Sequence, residues 1–413
     1  MRTVCIPLLL ALVLISASQA LAKPPIIILP SLLDSQLIGE YDQAADLTKA
    51  CNSAKITGAK MWPPPVDDLA YFLSTFNPVL PTPTCWWHMM QLSPTTQDGG
   101  FVDNAGVNVT ASLTLATSLV LKPLGAAIRA AGYTNRQITV LPYDWRLDVN
   151  SIEKNGQLRR MASRIIGLSR RAEEKAILVG YSQGNAVAMK LLQMAAVRAH
   201  VKGYIALAPP FGGAPGAIAA LTSGSVKGVL PPALLAKLTL PPGSPFTRDQ
   251  LLYNAARGMA GFVMMSPSIA GYPEDPVVVT AGGVQYKVSQ LPQLYRDIGQ
   301  GQLADAYEDA QQVQITGPLP NGIATYCIYG EGIRTPASLR YASAFKAGIA
   351  DLPTTSGTTM GDTVVTLSSL SLCDKLTTPD KVSRLPWPVS HFNVFSHPLG
   401  RAAVTKALAE LSS

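Results

Sequence analysis

The residues Gly180-Tyr181-Ser182-Gln183-Gly184 set a serine between two glycines. Before them lies a short apolar run, Ala176–Val179, and after them Val187, Leu191 and Ala195 recur at helical spacing. A serine on such a strand-to-helix corner is forced into a strained backbone conformation, so the residues two positions away must be tiny. Its hydroxyl then stands above the sheet, and the N–H of Gln183, at a helix N-terminus, is placed to stabilise an oxyanion. The five-residue pattern alone recurs by chance. The strand before it and the helix after it are what give it weight.

A serine alone is a poor nucleophile and needs a histidine base oriented by an acid. On this kind of scaffold the chain order is Ser, Asp/Glu, His. The chain has four histidines. His88 precedes the serine and follows Trp86-Trp87, where a surface position is expected. His200 trails it closely and is expected to cap helix carbonyls. His391 and His397 lie downstream; His397, just before Pro398 at the start of a helical pattern, is expected as a polar cap. His391 is therefore the preferred base. For the acid, Gly361-Asp362-Thr363-Val364-Val365 presents a carboxylate beside a glycine and ahead of β-branched residues, as at a strand end. Asp351 and Asp374 remain alternatives on spacing alone, because most aspartates are solvated turn residues.

The elements that must position these groups are short apolar runs alternating with helical patterns. Ile26–Leu29, Ile138–Leu141, Ala176–Val179, Tyr204–Ala208 and Tyr326–Tyr329 read as strands; Leu121–Ala131, Leu158–Glu173, Ala186–Ala199 and Leu399–Leu411 read as helices. This alternation predicts an α/β fold with a mostly parallel sheet covered on both faces. Two regions break the rhythm. Residues 42–110 carry Cys51, Cys85 and a proline cluster, and predict an excursion tied off by a disulfide that contacts membranes through Trp62 and Trp86. Residues 214–275, rich in Ala, Leu, Gly, Pro and Met, predict an apolar cap or lid.

Residues 1–22 combine Arg2, an apolar run and small residues, which predicts a secretory signal peptide and a secreted or lumenal protein. The remaining roughly 390 residues suit one domain with insertions. A hydrophobic fraction of 47% is enough for a large core. The net charge of +7 is spread thinly, with no basic cluster of the kind that tracks a phosphate backbone, so nucleic acid is not an expected partner. Four cysteines remain beyond Cys5: Cys51, Cys85, Cys327 and Cys373. An even count in a secreted chain suggests two disulfides, with three pairings formally possible. The sequential pairing, Cys51–Cys85 and Cys327–Cys373, closes two moderate loops and is preferred. Zinc is disfavoured because no CxxC or HxxxH spacing exists. Asn108-Val109-Thr110 is one glycosylation acceptor triplet.

Several blocks together resemble the lecithin:cholesterol acyltransferase family, which includes lysosomal phospholipase A2-type enzymes of the α/β-hydrolase superfamily. Ile26-Ile27-Ile28-Leu29-Pro30 with Ser35-Gln36-Leu37 resembles that family's first strand and oxyanion turn. Cys85-Trp86 and Asp103-Asn104-Ala105-Gly106-Val107 resemble the next block. Pro142-Tyr143-Asp144-Trp145-Arg146-Leu147 is the most specific. Leu207-Ala208-Pro209-Pro210-Phe211-Gly212-Gly213, Pro273-Glu274-Asp275, Tyr326-Cys327-Ile328-Tyr329-Gly330, Asp362-Thr363-Val364, Leu372-Cys373 and His391 complete the set.

The resemblance implies an α/β-hydrolase fold with Ser182 as nucleophile, Asp362 as acid, His391 as base, and the N–H groups of Gln183 and Leu32 as oxyanion donors. It also supports both cysteine pairings. The chain departs from the family where Ser31 replaces a common glycine and Asp34 stands where a small residue is usual. Asp144 and Arg146 are expected to pair near the sheet's end. The implied activity is that of a lipid serine hydrolase or O-acyltransferase, acting as a monomer at a membrane or lipoprotein phospholipid surface. An acyl-enzyme would pass its chain to water or to an alcohol such as a sterol, with no metal or organic cofactor. A neutral lipase or esterase with the same three residues, and a non-catalytic lipid-binding protein, are the alternatives.

Overall fold

The computed structural model describes residues 23–51, 53–63, 84–95, 100–118, 120–230, 235–236, 247–310 and 317–413. The expected signal peptide, residues 1–22, lies outside the described residues, as do residues 64–83 of the first excursion and most of 231–246 in the second.

The centre is a six-stranded sheet of β1 (Ile26–Leu29), β2 (Ile138–Val140), β3 (Ala176–Tyr181), β4 (Val201–Leu207), β5 (Ala324–Gly330) and β6 (Val382–Leu385), in spatial order β6-β5-β4-β3-β1-β2. Every pairing is parallel. Strands buried on both faces carry apolar residues at every position, which is why runs such as Ile26-Ile27-Ile28-Leu29 were legible. Alternate side chains enter two separate cores. Ile26, Ile28, Ile177 and Val179 join Leu124 and Ile128 of helix Lys122–Ala130 and Val404 and Leu408 of helix Pro398–Ser412. Ile27, Leu29 and Leu178 join Met161 and Ile165 of helix Gln157–Ala172 and Val187 and Leu191 of helix Gly184–Gln193. Helices thus cover both faces, as predicted. Because all six strands run the same way, their carboxyl ends lie on one side.

A three-stranded antiparallel sheet and a four-stranded mixed sheet, in which Val277–Ala281 and Ile333–Tyr341 run parallel, escaped prediction. One orders Lys55–Trp62, Gln36–Asp42 and Val107–Ser112; the other orders Val284–Lys287, Val277–Ala281, Ile333–Tyr341 and Thr354–Gly361. Bulges interrupt their registers, so the two-residue alternation that marks a half-buried strand is broken.

The two excursions differ from expectation in one respect each. Cys51 is bonded to Cys85 and Cys327 to Cys373. Trp62 and Trp86, expected to meet a membrane, are instead buried at 2% and 0% exposure. Their indole N–H groups donate to the carbonyls of Leu33 and Met61, at 2.7 and 3.1 Å. In the second excursion, helices Gly216–Ser223, Arg248–Ala256 and Ala260–Met264 pack together in the main core, with Ile218, Leu221 and Val263 fully buried. The described helices of this excursion are thus packed into the core.

Candidate active site

Strand β3 ends at Tyr181, and Ser182 follows with φ +52°, a left-handed conformation unfavourable for a residue with a side chain. The glycines explain how the chain tolerates the corner. A Cβ on Gly184 would lie 2.3 Å from the Leu29 carbonyl oxygen, and one on Gly180 would lie 2.5 Å from Oδ1 of Asn185. Asn185 fixes the turn from inside: its Nδ2 donates to the carbonyls of Ser182 and Leu207, and its Oδ1 accepts from the Tyr204 hydroxyl.

His391 Nε2 lies 2.9 Å from Ser182 Oγ, and His391 Nδ1 lies 2.7 Å from Asp362 Oδ2. Since a carboxylate only accepts, Nδ1 carries the ring proton and Nε2 is left to accept from the serine. Asp362 is fully buried. Its Oδ1 accepts from the N–H groups of Val364 and Val365, and its carbonyl accepts from the His391 N–H at 2.6 Å. The Tyr181 hydroxyl donates to the His391 carbonyl. Loop, ring and carboxylate are thereby held from three sides.

The other candidates fall elsewhere. Asp374 accepts from Tyr329 and Arg384, and Asp351 is exposed. His397 accepts from Leu399 N–H at the start of the last helix, and His200 Nδ1 meets the Ala196 carbonyl, both as expected of caps. His88, expected at the surface, is largely enclosed: its Nε2 lies 3.1 Å from the Ala105 carbonyl and 3.5 Å from Asp46. Asn108 is exposed on strand Val107–Ser112, with its Nδ2 3.2 Å from Glu40.

Leu32 and Gln183 flank the serine from two directions. Gln183 opens helix Gly184–Gln193, and Leu32 sits in the turn after β1 and lines the same cavity as Ser182. Their N–H groups have no acceptor among the described residues. The turn is pinned by a set of contacts that sequence reasoning missed. The Tyr143 hydroxyl lies 2.8 Å from the Pro30 carbonyl, Trp145 Nε1 donates to Ser35 O, and Trp62 Nε1 donates to Leu33 O. The signal was the unusual hexapeptide Pro142–Leu147, whose aromatics reach across to this turn. Its remaining polar pair behaves as expected. Arg146 is fully buried and binds both Asp144 oxygens, with Asp103 at 2.5 Å.

Ser182 and His391 open onto a cavity of about 240 Å³ whose wall includes Leu32, Ala217, Leu230, Met265, Val364 and Phe392. An apolar cavity ending at a hydroxyl–imidazole–carboxylate relay suits attack on an ester carbonyl whose acyl chain lies along the wall. Among the described residues no group of three or more His, Cys, Asp or Glu is arranged to hold a metal ion.

An elbow serine and its histidine and aspartate partners, at the carboxyl ends of one parallel sheet, define an α/β-hydrolase, and the chain has that fold. It is also similar in sequence to the family that its motifs resemble. A family model described as lecithin:cholesterol acyltransferase matches residues 79–247. The chain is 23% identical over 350 residues to a lysosomal phospholipase A and acyltransferase of Bos taurus, covering 79% of this chain and 78% of that one. It is 24% identical over 218 residues to a phosphatidylcholine-sterol acyltransferase of Gallus gallus, covering 52% and 48%. Among solved structures, a chain of the Tle4-Tli4 complex aligns with 94% of this chain and 98% of its own, with a TM-score of 0.49 and 12% identity.

Proposed function

We propose that this chain is a phospholipase A and lecithin:cholesterol acyltransferase-like O-acyltransferase that works through an acyl-enzyme on Ser182. The observation that carries the reading is the continuous hydrogen-bonded line from Asp362 through His391 to Ser182 at the end of an apolar cavity. Ser182 Oγ attacks the acyl carbonyl carbon as its proton passes to His391 Nε2. The carbonyl electron pair moves to oxygen, where the N–H groups of Gln183 and Leu32 receive it. Collapse breaks the ester C–O bond, and the His391 proton goes to the departing lysolipid alkoxide. Water or an alcohol such as a sterol then gives its proton to His391 and attacks the acyl-enzyme. The second collapse releases the acid or new ester and returns the proton to Ser182.

The phospholipid is taken from a membrane or lipoprotein surface, and the protein works in a secretory or lysosome-like lumen. Two disulfides support that compartment, and no helix among the described residues is long and apolar enough to cross a membrane. The test is a phospholipid labelled in its acyl chain, supplied in vesicles with and without sterol, together with fluorophosphonate labelling of Ser182. Labelled fatty acid or sterol ester is expected. No fluorophosphonate adduct, or an adduct with turnover of soluble esters alone, would overturn the reading.

A further inference from the structure

Asp34 lies on the wall of the cavity shared by Ser182 and His391. Both of its carboxyl oxygens are within reach of one hydroxyl, that of Ser118, at 2.8 and 3.1 Å. Ser118 also receives the N–H groups of Val120 and Leu121, so its position is fixed by the backbone and not by Asp34 alone. Among the described residues lining the cavity there is no lysine or arginine. One side of Asp34 faces the cavity, while protein on the others removes it from bulk water.

Its titratable neighbours supply no countercharge. The Tyr143 and Tyr181 phenols are fully buried, and desolvation, aided by Asp34 at Tyr143 and by Asp362 and then Asp34 at Tyr181, holds them well above their ordinary range, so both stay neutral. His391 faces the same cavity with its Nδ1 committed to Asp362. Among the described residues, Ser31, Gln36 and Thr117 make up the rest of the polar lining and are uncharged. Among the described residues Asp34 is thus a carboxyl group without a cation, set in the compartment that must hold an uncharged acyl ester and then release an anionic fatty acid.

We propose that Asp34 is a specificity-determining residue that sets the charge of the cavity, admitting uncharged acyl esters and rejecting free carboxylates, so that hydrolysed fatty acid is expelled. The inference rests on the hydrolase reading above. The physics is like-charge repulsion across a poorly hydrated space, where two anions interact far more strongly than in water. Desolvation pushes the Asp34 carboxyl up to about 7, against the lowering effect of the Ser118 hydrogen bond. The repulsion is therefore strongest well above that pH and fades below it.

The test measures binding by calorimetry, which is independent of turnover. Octanesulfonate serves as a permanently anionic probe and octanamide as a neutral probe of similar shape. At a pH well above the Asp34 midpoint, Asp34→Asn is expected to bind the sulfonate about tenfold or more tightly than the native protein, a size typical of like-charge contacts with partial screening. The amide should bind both alike. In the native protein, sulfonate affinity should rise as pH falls through the midpoint, beyond the rise seen in Asp34→Asn, which shares every other titrating group. Ser118→Ala keeps the carboxyl and removes its donor, so it should move that rise to higher pH; this arm stands even if Asp34→Asn fails to fold. Equal sulfonate affinity and pH response in native protein and variants would overturn the inference. If fluorophosphonate labels Ser182 at the same time, the hydrolase reading stands and only the role of Asp34 falls.

Discussion

The Tyr143 hydroxyl lies 3.1 Å from Oε1 of Gln183, and Nε2 of the same glutamine donates to the Gly261 carbonyl. Tyr143 is fully buried and also meets the Pro30 carbonyl, so one phenol bridges the turn after β1 and the residue after the serine. Those two segments bear the N–H groups assigned to the oxyanion. Tyr143→Phe keeps the ring and removes the bridge. It should lower kcat by about tenfold with little change in KM, less than the roughly hundredfold or more for losing an oxyanion donor outright. Because the one phenolic proton shared between these two buried acceptors is lost, stability should fall by about 1–3 kcal/mol. An unchanged kcat in folded protein would show that the turn is held without Tyr143.

Ser182→Ala should fold, since alanine fits the elbow, and should bring activity to background. Losses of several orders of magnitude are usual for members of such a triad. His391→Ala and Asp362→Asn should also be severe. His397→Ala is the control, because it removes only an acceptor for Leu399 N–H, worth about 1 kcal/mol of helix stability. Initial rates on a soluble ester measure all four. A ranking in which His397→Ala is worse than His391→Ala would mean the wrong base has been assigned.

Cys327 lies on β5, and Cys373 lies eleven residues after Asp362, so their bond closes the segment that carries the proposed acid. Replacing both by alanine should cost about 2–5 kcal/mol and should also lower kcat. The Cys51–Cys85 bond ties the excursion beside helix Thr84–Met90. Its loss should cost a similar stability with a smaller effect on kcat. Urea unfolding paired with kinetics separates the two effects. An equal kcat loss from both pairs would contradict the placement of the second beside Asp362.

The parts of this fold that were legible in the sequence are those whose burial is complete. Ile26–Leu29 and Ala176–Val179 are apolar at every position because both faces of the central sheet are covered. The elbow was legible because a Cβ at Gly180 or Gly184 would strike neighbouring atoms, which leaves a fixed spacing around Ser182. The strand Thr354–Gly361 was not, because it is exposed along nearly its whole length and has no apolar alternation. Trp62 and Trp86 read as surface anchors because the carbonyls they bind, of Leu33 and Met61, come from distant or unremarkable segments. Helix Gly216–Ser223 is apolar but for Thr222 and Ser223, and composition alone does not separate a buried helix from one that meets lipid.

Arg146 gives the prediction with the clearest dependence on pH. Its guanidinium is fully buried, binds both oxygens of Asp144, reaches Asp103, and donates to the carbonyls of Met89 and Met90. Burial disfavours its charge, but Asp144 and Asp103 outweigh that and hold it well above the ordinary arginine range. Burial likewise raises the Asp103 carboxyl, with Arg146 opposing the rise and Asp144 adding to it. Arg146→Met removes the opposing charge and leaves two carboxyl groups facing each other out of water. At neutral pH this should cost about 3–5 kcal/mol, the usual penalty for a buried charge left without its partner. A carboxyl whose folded-state affinity for protons exceeds its unfolded one gives most stability at low pH and loses it as pH rises. The deficit of Arg146→Met should therefore shrink as pH falls into the carboxylate range and grow as it rises. Arg146→Lys should recover only part of the loss, because an ammonium cannot hold both Asp144 oxygens and Asp103 in one planar fork. Urea midpoints for the native protein and both variants across pH measure this directly. A deficit that does not vary with pH would mean that packing, and not the two carboxylates, accounts for the cost of losing Arg146.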